Sequence, residues 1–461
     1  MRLAPSTIAA SLPEVGDAAP EWSAVLDTLL FRAGFNTAVV VAGTTLLGLA
    51  AGVVGLLALL RKRSLMADAL GHATLPGIAI VFLAASALGA AGRSMPLLLA
   101  GAAATGIAGM LAVQAILRFT RLREDAAIAI VLSVSFAIGV VLLSIVQTTA
   151  PAGAAGIHHL IYGQTAAMRA ADAIAMGSIA VLSLLAARLF LKEFALVAFD
   201  EPFARSEGWP IGGVDLAMMS LVVVVTVVGL QAVGLILVVA MLIIPAAAAR
   251  FWTERLSTLL WLSAGFGAAG GYLGAVVSAL LPRKPAGAVI VLVAGSIFVV
   301  SMLVAPSRGL LAAAARRARL RLRIAAEHVL ESTFEHWRRD RRSPIVDQAV
   351  LAGIARERGW SAWMSLAVKT WLRTAGFATR DASGIKLTAK GLVRGAAVSR
   401  NHRLWEQYLV SHADLAPSHV DWSVDQVEHV LSPELVASLE GQLRERGIEV
   451  PRLQLRPEEA T

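Results

Sequence analysis

Charge is nearly absent from long stretches of this chain, and no other feature limits its fold as much. Intervals without a single Asp, Glu, Lys or Arg run from Ala33 to Leu60, Ala69 to Gly92, Ser94 to Leu117, Ala126 to Met168, Leu216 to Ala249, Leu256 to Pro282 and Pro285 to Ser307. A bilayer crossing needs about 20 apolar residues, and each interval supplies them. Ala173 to Leu191 joins the set if Arg188 snorkels to the near interface. The Leu216 to Ala249 interval would make a helix of about 51 Å, too long for one crossing, so it is predicted to split between Gln231 and Gly234. The expected fold is an all-α polytopic membrane protein with nine spans, or eight if that split is only a kink. Composition agrees: 57% of the 461 residues are hydrophobic, 16% are charged and the mean hydropathy is +0.70. No soluble core could hide so much apolar side chain, which excludes an ordinary soluble enzyme.

The net charge of +9 lies largely at membrane flanks, where the positive-inside rule applies. Placing Arg61, Lys62 and Arg63 in the cytoplasm also places Arg118, Arg121, Arg123, the Lys192 to Asp215 loop, Arg250, Arg255 and everything after Ser307 there. The other side receives only Arg2, Arg32, Arg93, Arg169, Arg283 and Lys284. The N-terminus is therefore expected outside and the C-terminus inside, in a cytoplasmic membrane. Met1 to Ser23 lacks the charged-then-apolar pattern of a cleaved signal. The absence of cysteine removes disulfides, thiolate chemistry and Cys-type zinc sites.

After Ser307 the composition turns charged. A membrane-spanning part, 1–307, is followed by a basic linker, 308–326, carrying Arg316, Arg317, Arg319, Arg321 and Arg323. Such a stretch directly after a span reads as a cytoplasmic anchor that meets anionic membrane lipid. Apolar periodicity then predicts helices over Ala325–Trp337, Asp347–Arg358 and Met364–Thr374, a wing over Phe377–Leu387 turned at Asp381 to Gly384, and helices over Ala389–Val410 and Val424–Arg446. That order is a cytoplasmic winged-helix-like α(+β) domain, 327–397, with a helical appendage, 398–461.

Polar groups inside spans are costly and are candidates for function. In Asp68-Ala-Leu-Gly-His72 the carboxylate and imidazole are four residues apart and share a helix face. Together they can bind a divalent cation, and the donor pair suits manganese, iron or zinc. The same pattern would arise from an Asp capping the helix and a His bonded to a neighbouring carbonyl. His158-His159 diverge by about 100° on a helix and read as a loop pair. Pro245 is expected to kink or break its helix. No Gly-x-x-x-x-Gly-Lys-Ser/Thr occurs, so the chain has no phosphate cradle of that type and is not expected to bind nucleotide.

Five ordered segments carry a family resemblance: Leu59 to Gly77, Arg123-Glu-Asp-Ala-Ala-Ile-Ala-Ile, Tyr162-Gly-Gln, Phe199-Asp-Glu-Pro-Phe-Ala-Arg-Ser-Glu-Gly208, and Val233 to Ala246. Together they resemble the permease subunits of ABC importers for manganese, zinc and iron, with Gly71 where members usually have Ser. The resemblance implies that Asp68 and His72 line the metal pathway. It also implies that Asp200, Glu201, Pro202, Phe203, Ala204 and Gly208 belong to a coupling helix that docks into a cytoplasmic ABC ATPase. The implied partners are that ATPase, an extracytoplasmic metal-binding protein and a second permease, in a homo- or heterodimer.

The tail, from about His328 to Leu443, resembles metal-responsive repressors of the diphtheria-toxin-repressor type, through Leu387-Thr-Ala-Lys-Gly391, Asn401-His402-Arg-Leu-Trp-Glu406 and Asp425-Gln-Val-Glu428-His429. The implied ligands are His402, Asp425, Glu428 and His429, completed by His328 and Glu331, an oxygen-and-nitrogen set that leans toward manganese. Six of the nine His residues lie in this tail; His336, His412 and His419 read as ordinary surface residues. Trp360-Ser-Ala-Trp-Met-Ser-Leu, where a recognition helix would lie, is poor in the side chains that read base edges, so DNA is not an expected partner. The sequence therefore points to a transporter subunit with a metal-sensing tail and no catalytic residue of its own. A membrane-tethered metal-responsive transcriptional regulator is the alternative, and a proton- or sodium-coupled carrier is disfavoured by the scarcity of intramembrane acids.

Overall fold

The computed structural model describes residues 22–61, 63, 65–88, 94–149, 163, 165–281, 284–340, 345–381, 384–412, 433–450 and 452, and the chain divides between Ala312 and Ala313 into two compact units. The first contains α1 (Trp22–Leu29), α2 (Phe35–Leu60), α3 (Met66–Ala87), α4 (Met95–Phe119), α5 (Glu124–Thr149), α6 (Ala170–Leu189), α7 (Leu191–Phe199), α8 (Glu201–Ser206), α9 (Ile211–Val233), α10 (Leu235–Ala249), α11 (Leu256–Leu280) and α12 (Ala286–Val304). Eight of these, α2 to α6, α9, α11 and α12, are long and apolar enough to cross a bilayer. The protein is a multi-pass membrane protein.

The long Leu216 to Ala249 interval breaks at Gly234, whose φ of +81° only glycine adopts cheaply. The second piece, α10, has 15 residues and runs on past Pro245 to Ala249, so the proline does not end it. At 1.5 Å per residue it spans about 22 Å, short of the hydrocarbon thickness. The break therefore separates one full span from a shorter apolar helix.

Between lipid-bathed helices apolar burial gives little net driving force, so close backbone approach has to hold the bundle. The α2–α11 contact illustrates this. A Cβ on Gly48 would lie 2.1 Å from the Gly267 carbonyl oxygen, and one on Gly267 would lie 2.0 Å from that of Gly48. Ser263 Oγ donates to Gly52 O at 2.6 Å and Thr44 Oγ1 to Gly271 O at 3.1 Å, adding polar links across the same seam. Helices α2, α3 and α9 are the most buried spans, whereas α5, α6 and α12 keep most of their surface exposed.

In the second unit the stretch read as a linker is part of one helix, α13 (Leu310–Asp340), which runs through the predicted Ala325–Trp337 helix. It is followed by β1 (Ile345–Asp347), α14 (Gln348–Glu357), α15 (Ala362–Thr374), β2 (Ala378–Arg380), β3 (Gly384–Leu387), α16 (Ala389–His412) and α17 (Pro433–Glu445). The wing forms as an antiparallel β2–β3 pair, and β1 adds a third strand on the other side of β3, with Val346 opposite Ile385. Ala326, Val329, Leu330, Val368, Leu372 and Ile385 form the core of this winged-helix-like body. A separate small cluster, Leu404 with Leu439 and Leu443, joins α16 to α17.

Candidate functional site

Helix α3 lies between α4 and α5, and from Met66 to Ala79 every residue is buried except Asp68 and His72. The period of 3.6 places both on one face, where His72 Nε2 stands 3.5 Å from Asp68 Oδ1. Two donors each about 2.0–2.2 Å from a shared ion would be separated by a similar distance. The His72 ring meets Phe136 of α5 edge-on, with centroids 5.0 Å apart. His72 Nδ1 is buried and without a hydrogen-bond partner among the described residues. The N-cap of α3 is Leu65, with no side-chain capping bond. The arrangement thus differs from a capping Asp and a carbonyl-bonded His. One chain brings two donors together here, and no group of three or more His, Asp or Glu is assembled for a metal among the described residues.

At the same end of the bundle, Asp200 caps the six-residue helix α8: its Oδ1 accepts the Phe203 N–H at 3.0 Å, and Pro202 sits in the first turn. Ala204 is fully buried, while Phe199, Phe203 and Trp209 are exposed. Gly208 ends the segment at φ +80°, a conformation favourable to glycine. Glu201 faces inward enough to meet Arg61, whose Nη1 lies 3.2 Å from Glu201 Oε2 and donates to Val197 O at 2.8 Å. The result is an apolar, aromatic knob held rigidly against the spans.

In the tail, His328, Glu331 and His402 line one cavity of about 560 Å³ together with Glu335, His336 and Glu406. Glu331 Oε1 is 3.6 Å from His402 Nδ1. Arg358 Nη1 lies 2.8 Å from His328 Nε2, so a guanidinium already stands at that ring nitrogen. Glu331 and His402 suit a hard-to-borderline metal by donor type; His328 suits it less. Asp425, Glu428 and His429 lie outside the described residues, as do His158, His159 and His419. Glu335, which sequence reasoning missed, accepts from Arg403 Nη2 at 2.8 Å and Ser399 Oγ at 2.9 Å. Burial alone would raise its pKa, but those hydrogen bonds and the charges of Arg403 and Arg338 hold it below the ordinary glutamate value. Its ion pair with Arg403 staples α13 to α16, a tertiary link with no local sequence signal.

Residues 35–305 match the ABC 3 transport family, and residues 388–446 match the iron dependent repressor, metal binding and dimerisation domain. The chain is 36% identical over 382 residues, 83% of its own length and 86% of the relative's, to the manganese transport system membrane protein MntC of Bacillus subtilis. That alignment is longer than the first unit, which ends at Ala312, and so reaches into the tail. The zinc transport system membrane protein TroC of Treponema pallidum is 42% identical over 61% of this chain and 93% of its own. Among solved structures, PsaBC from Streptococcus pneumoniae in complex with Fab aligns with 62% of this chain and 97% of that one, at a TM-score of 0.52 and 30% identity.

Proposed function

The chain belongs to the ABC 3 transport family, and from that premise we propose that it is the permease subunit of an importer that moves manganese, with iron or zinc as competing cargo, across the cytoplasmic membrane. The observation that carries this reading is the Asp68–His72 pair, the one partly accessible strip on the otherwise buried first half of α3. Two donors hold an ion weakly enough to release it. A second permease, either another copy or a sister chain, would bring a matching pair and complete the coordination during passage.

The Asp200 to Gly208 segment is assigned to docking with a cytoplasmic ATPase. Its exposed Phe199, Phe203 and Trp209 offer the apolar anchors that a partner groove would bury. ATP is hydrolysed by that partner, and an extracytoplasmic binding protein delivers the metal. The positive-inside pattern supports an outside N-terminus and a cytoplasmic tail. In the tail, Glu331, His402, His328 and the residues Asp425, Glu428 and His429 would bind cytoplasmic metal and slow transport when it is abundant. The exposed basic residues of α13, Arg316 to Arg321, suit contact with anionic lipid.

Uptake of radiolabelled manganese, with iron and zinc as competitors, tests the proposal in cells expressing the chain with its ATPase and binding protein. Wild type is expected to accumulate metal, and Asp68→Ala and His72→Ala to lose uptake while reaching the membrane in normal amounts. Full uptake by both variants would overturn the pathway assignment. Truncation after Ser307 is expected to leave uptake active and remove inhibition by high internal metal. The winged-helix-like body also favours a second reading, a tethered transcriptional regulator. Salt- and metal-dependent retardation of operator DNA by the detergent-solubilised chain would support that reading.

A further inference from the structure

The end of the bundle that holds the coupling segment also holds a buried set of ion pairs, and the two carboxylate oxygens of Asp215 are its centre. Asp215 Oδ1 accepts from Arg61 Nε at 3.1 Å, while Oδ2 is bonded by Arg63 Nη1. Asp215, at 5% exposure, and Arg63, at 6%, are as buried as the apolar core around them. Arg61 continues outward to Glu201 of α8 and the Val197 carbonyl of α7. Arg63 continues the other way, to Glu124, the first residue of α5.

The inner arginine reaches the helix that carries the metal pair and one of the two helices packed against it. Its carbonyl accepts the Met66 N–H at 2.9 Å, closing the turn that opens α3, five residues before Asp68. Its guanidinium holds the start of α5, the helix whose Phe136 packs against the His72 ring. A displacement of α8 therefore reaches both sides of the metal pair through one unbroken path: Glu201, Arg61, Asp215, Arg63. Buried ion pairs suit such a path, because in a low-dielectric interior an unpaired charge is too costly for the link to slacken. The two Asp215 pairs are buried on both sides and form the stiff middle of the path; at its half-exposed outer end Arg61 is also tied to the Val197 carbonyl of α7.

We propose that Asp215 is a positioning residue of the transport cycle, one that makes the attitude of α3 and α5 around the metal follow the position of the ATPase-docking segment. This rests on the permease reading above. Asp215 touches neither metal nor ATPase; it acts through Arg61 and Arg63. Loss of its charge leaves the arginines without their shared anchor, so that ATP turnover by the partner no longer opens and closes the metal cleft in step.

The test uses the complete transporter, with ATPase and binding protein, in proteoliposomes, measuring manganese uptake and ATP hydrolysis on the same vesicles. Asp215→Asn is expected to keep the ATPase in the complex and ATP turnover near normal, while manganese moved per ATP falls about tenfold, the scale of a typical coupling between sites. Asp215→Glu is expected to recover part of that ratio. An unchanged ratio in Asp215→Asn, whether both rates stay normal or fall together, would mean that the network is only a staple and would overturn the proposal. Should Asp215→Asn fail to reach the membrane, Glu124→Gln, at the α5 end of the path and outside the docking segment, decides by the same ratio: a fall supports the proposal and no change overturns it. Wild-type complex without uptake overturns the permease reading, and this one with it. Normal wild-type uptake with unaltered ratios in the variants overturns the coupling role alone.

Discussion

On α3 two ionisable side chains interrupt an otherwise buried stretch, while in the tail Glu331 and His402 share a cavity with Glu335, His336, Glu406 and several arginines. The difference is chemical. Among the described residues Asp68 pairs with His72, the His72 ring packs on Phe136, and His72 Nδ1 is left without a hydrogen-bond partner. An ion arriving there meets few competing contacts and leaves as few behind. In the tail, the Glu335 carboxylate is balanced by the Arg403 guanidinium and the Arg358 guanidinium lies against the His328 ring, so a cation would have to compete with resident charge. A sparse site suits passage, and a crowded one suits a response graded by concentration.

The sharpest way to break this contrast is to remove one donor from each region. Asp68→Ala is expected to cut metal uptake by about 10- to 100-fold, the usual cost of losing a metal contact, with no change in metal bound by the tail. His402→Ala is expected to weaken the tail's metal affinity by a similar factor and to abolish feedback. Uptake assays and isothermal titration on the purified full chain separate the two; a crossed effect would mean that the sites are not independent.

The packing of the two regions differs as well. Gly48→Val is expected to destabilise the span bundle by about 1–3 kcal/mol or more through overpacking, because its Cβ would meet the Gly267 backbone. Thermal unfolding in detergent would register this as a lowered Tm. An equal substitution at Gly353, which has open space around it, should cost far less.

Acid should distinguish the regions next. The folded-state pKa of Glu335 lies below its ordinary value, so its contribution to stability is present above about pH 4.3 and is lost as pH falls through the folded value. Hydrogen exchange in α16 of the full chain is expected to accelerate on acidification through that range, and Glu335→Gln should flatten the acid dependence. The smallest effect is expected at Arg308–Glu254, a pair exposed on both sides. Glu254→Gln should change stability by less than about 1 kcal/mol, within the scatter of a Tm measurement.

Much of the fold was legible because the relevant physics is local. An uninterrupted apolar run reports the cost of placing charge in hydrocarbon, and each of the eight long helices overlaps one of the intervals read from charge alone, although five of them run two to five residues past its edge and take in a flanking charge. Likewise the i to i+4 spacing placed Asp68 and His72 on one face without any tertiary information. Proline was a poorer guide. Pro245 was expected to kink or break its helix; α10 runs on past it unbroken, and the break in this interval lies at Gly234, within the Gln231 to Gly234 split read from the sequence. The third strand, β1, was not read from the sequence, and its last residue, Asp347, was placed at the start of a helix; three residues carry too little pattern to announce a partner about forty positions away.

The amino-acid sequence by itself determined where the chain crosses the membrane, where its charged tail begins and which two donors face each other on α3, because each follows from transfer energy or helical period over neighbouring residues. Only the tertiary structure decided that Arg61 and Arg63, legible as topogenic flank charges, close on Asp215, with Arg61 also reaching Glu201 of α8. It likewise decided that Glu335 joins two helices of the tail. Those pairings depend on which distant helices the packing brings together, and a pattern confined to neighbouring residues holds no record of that.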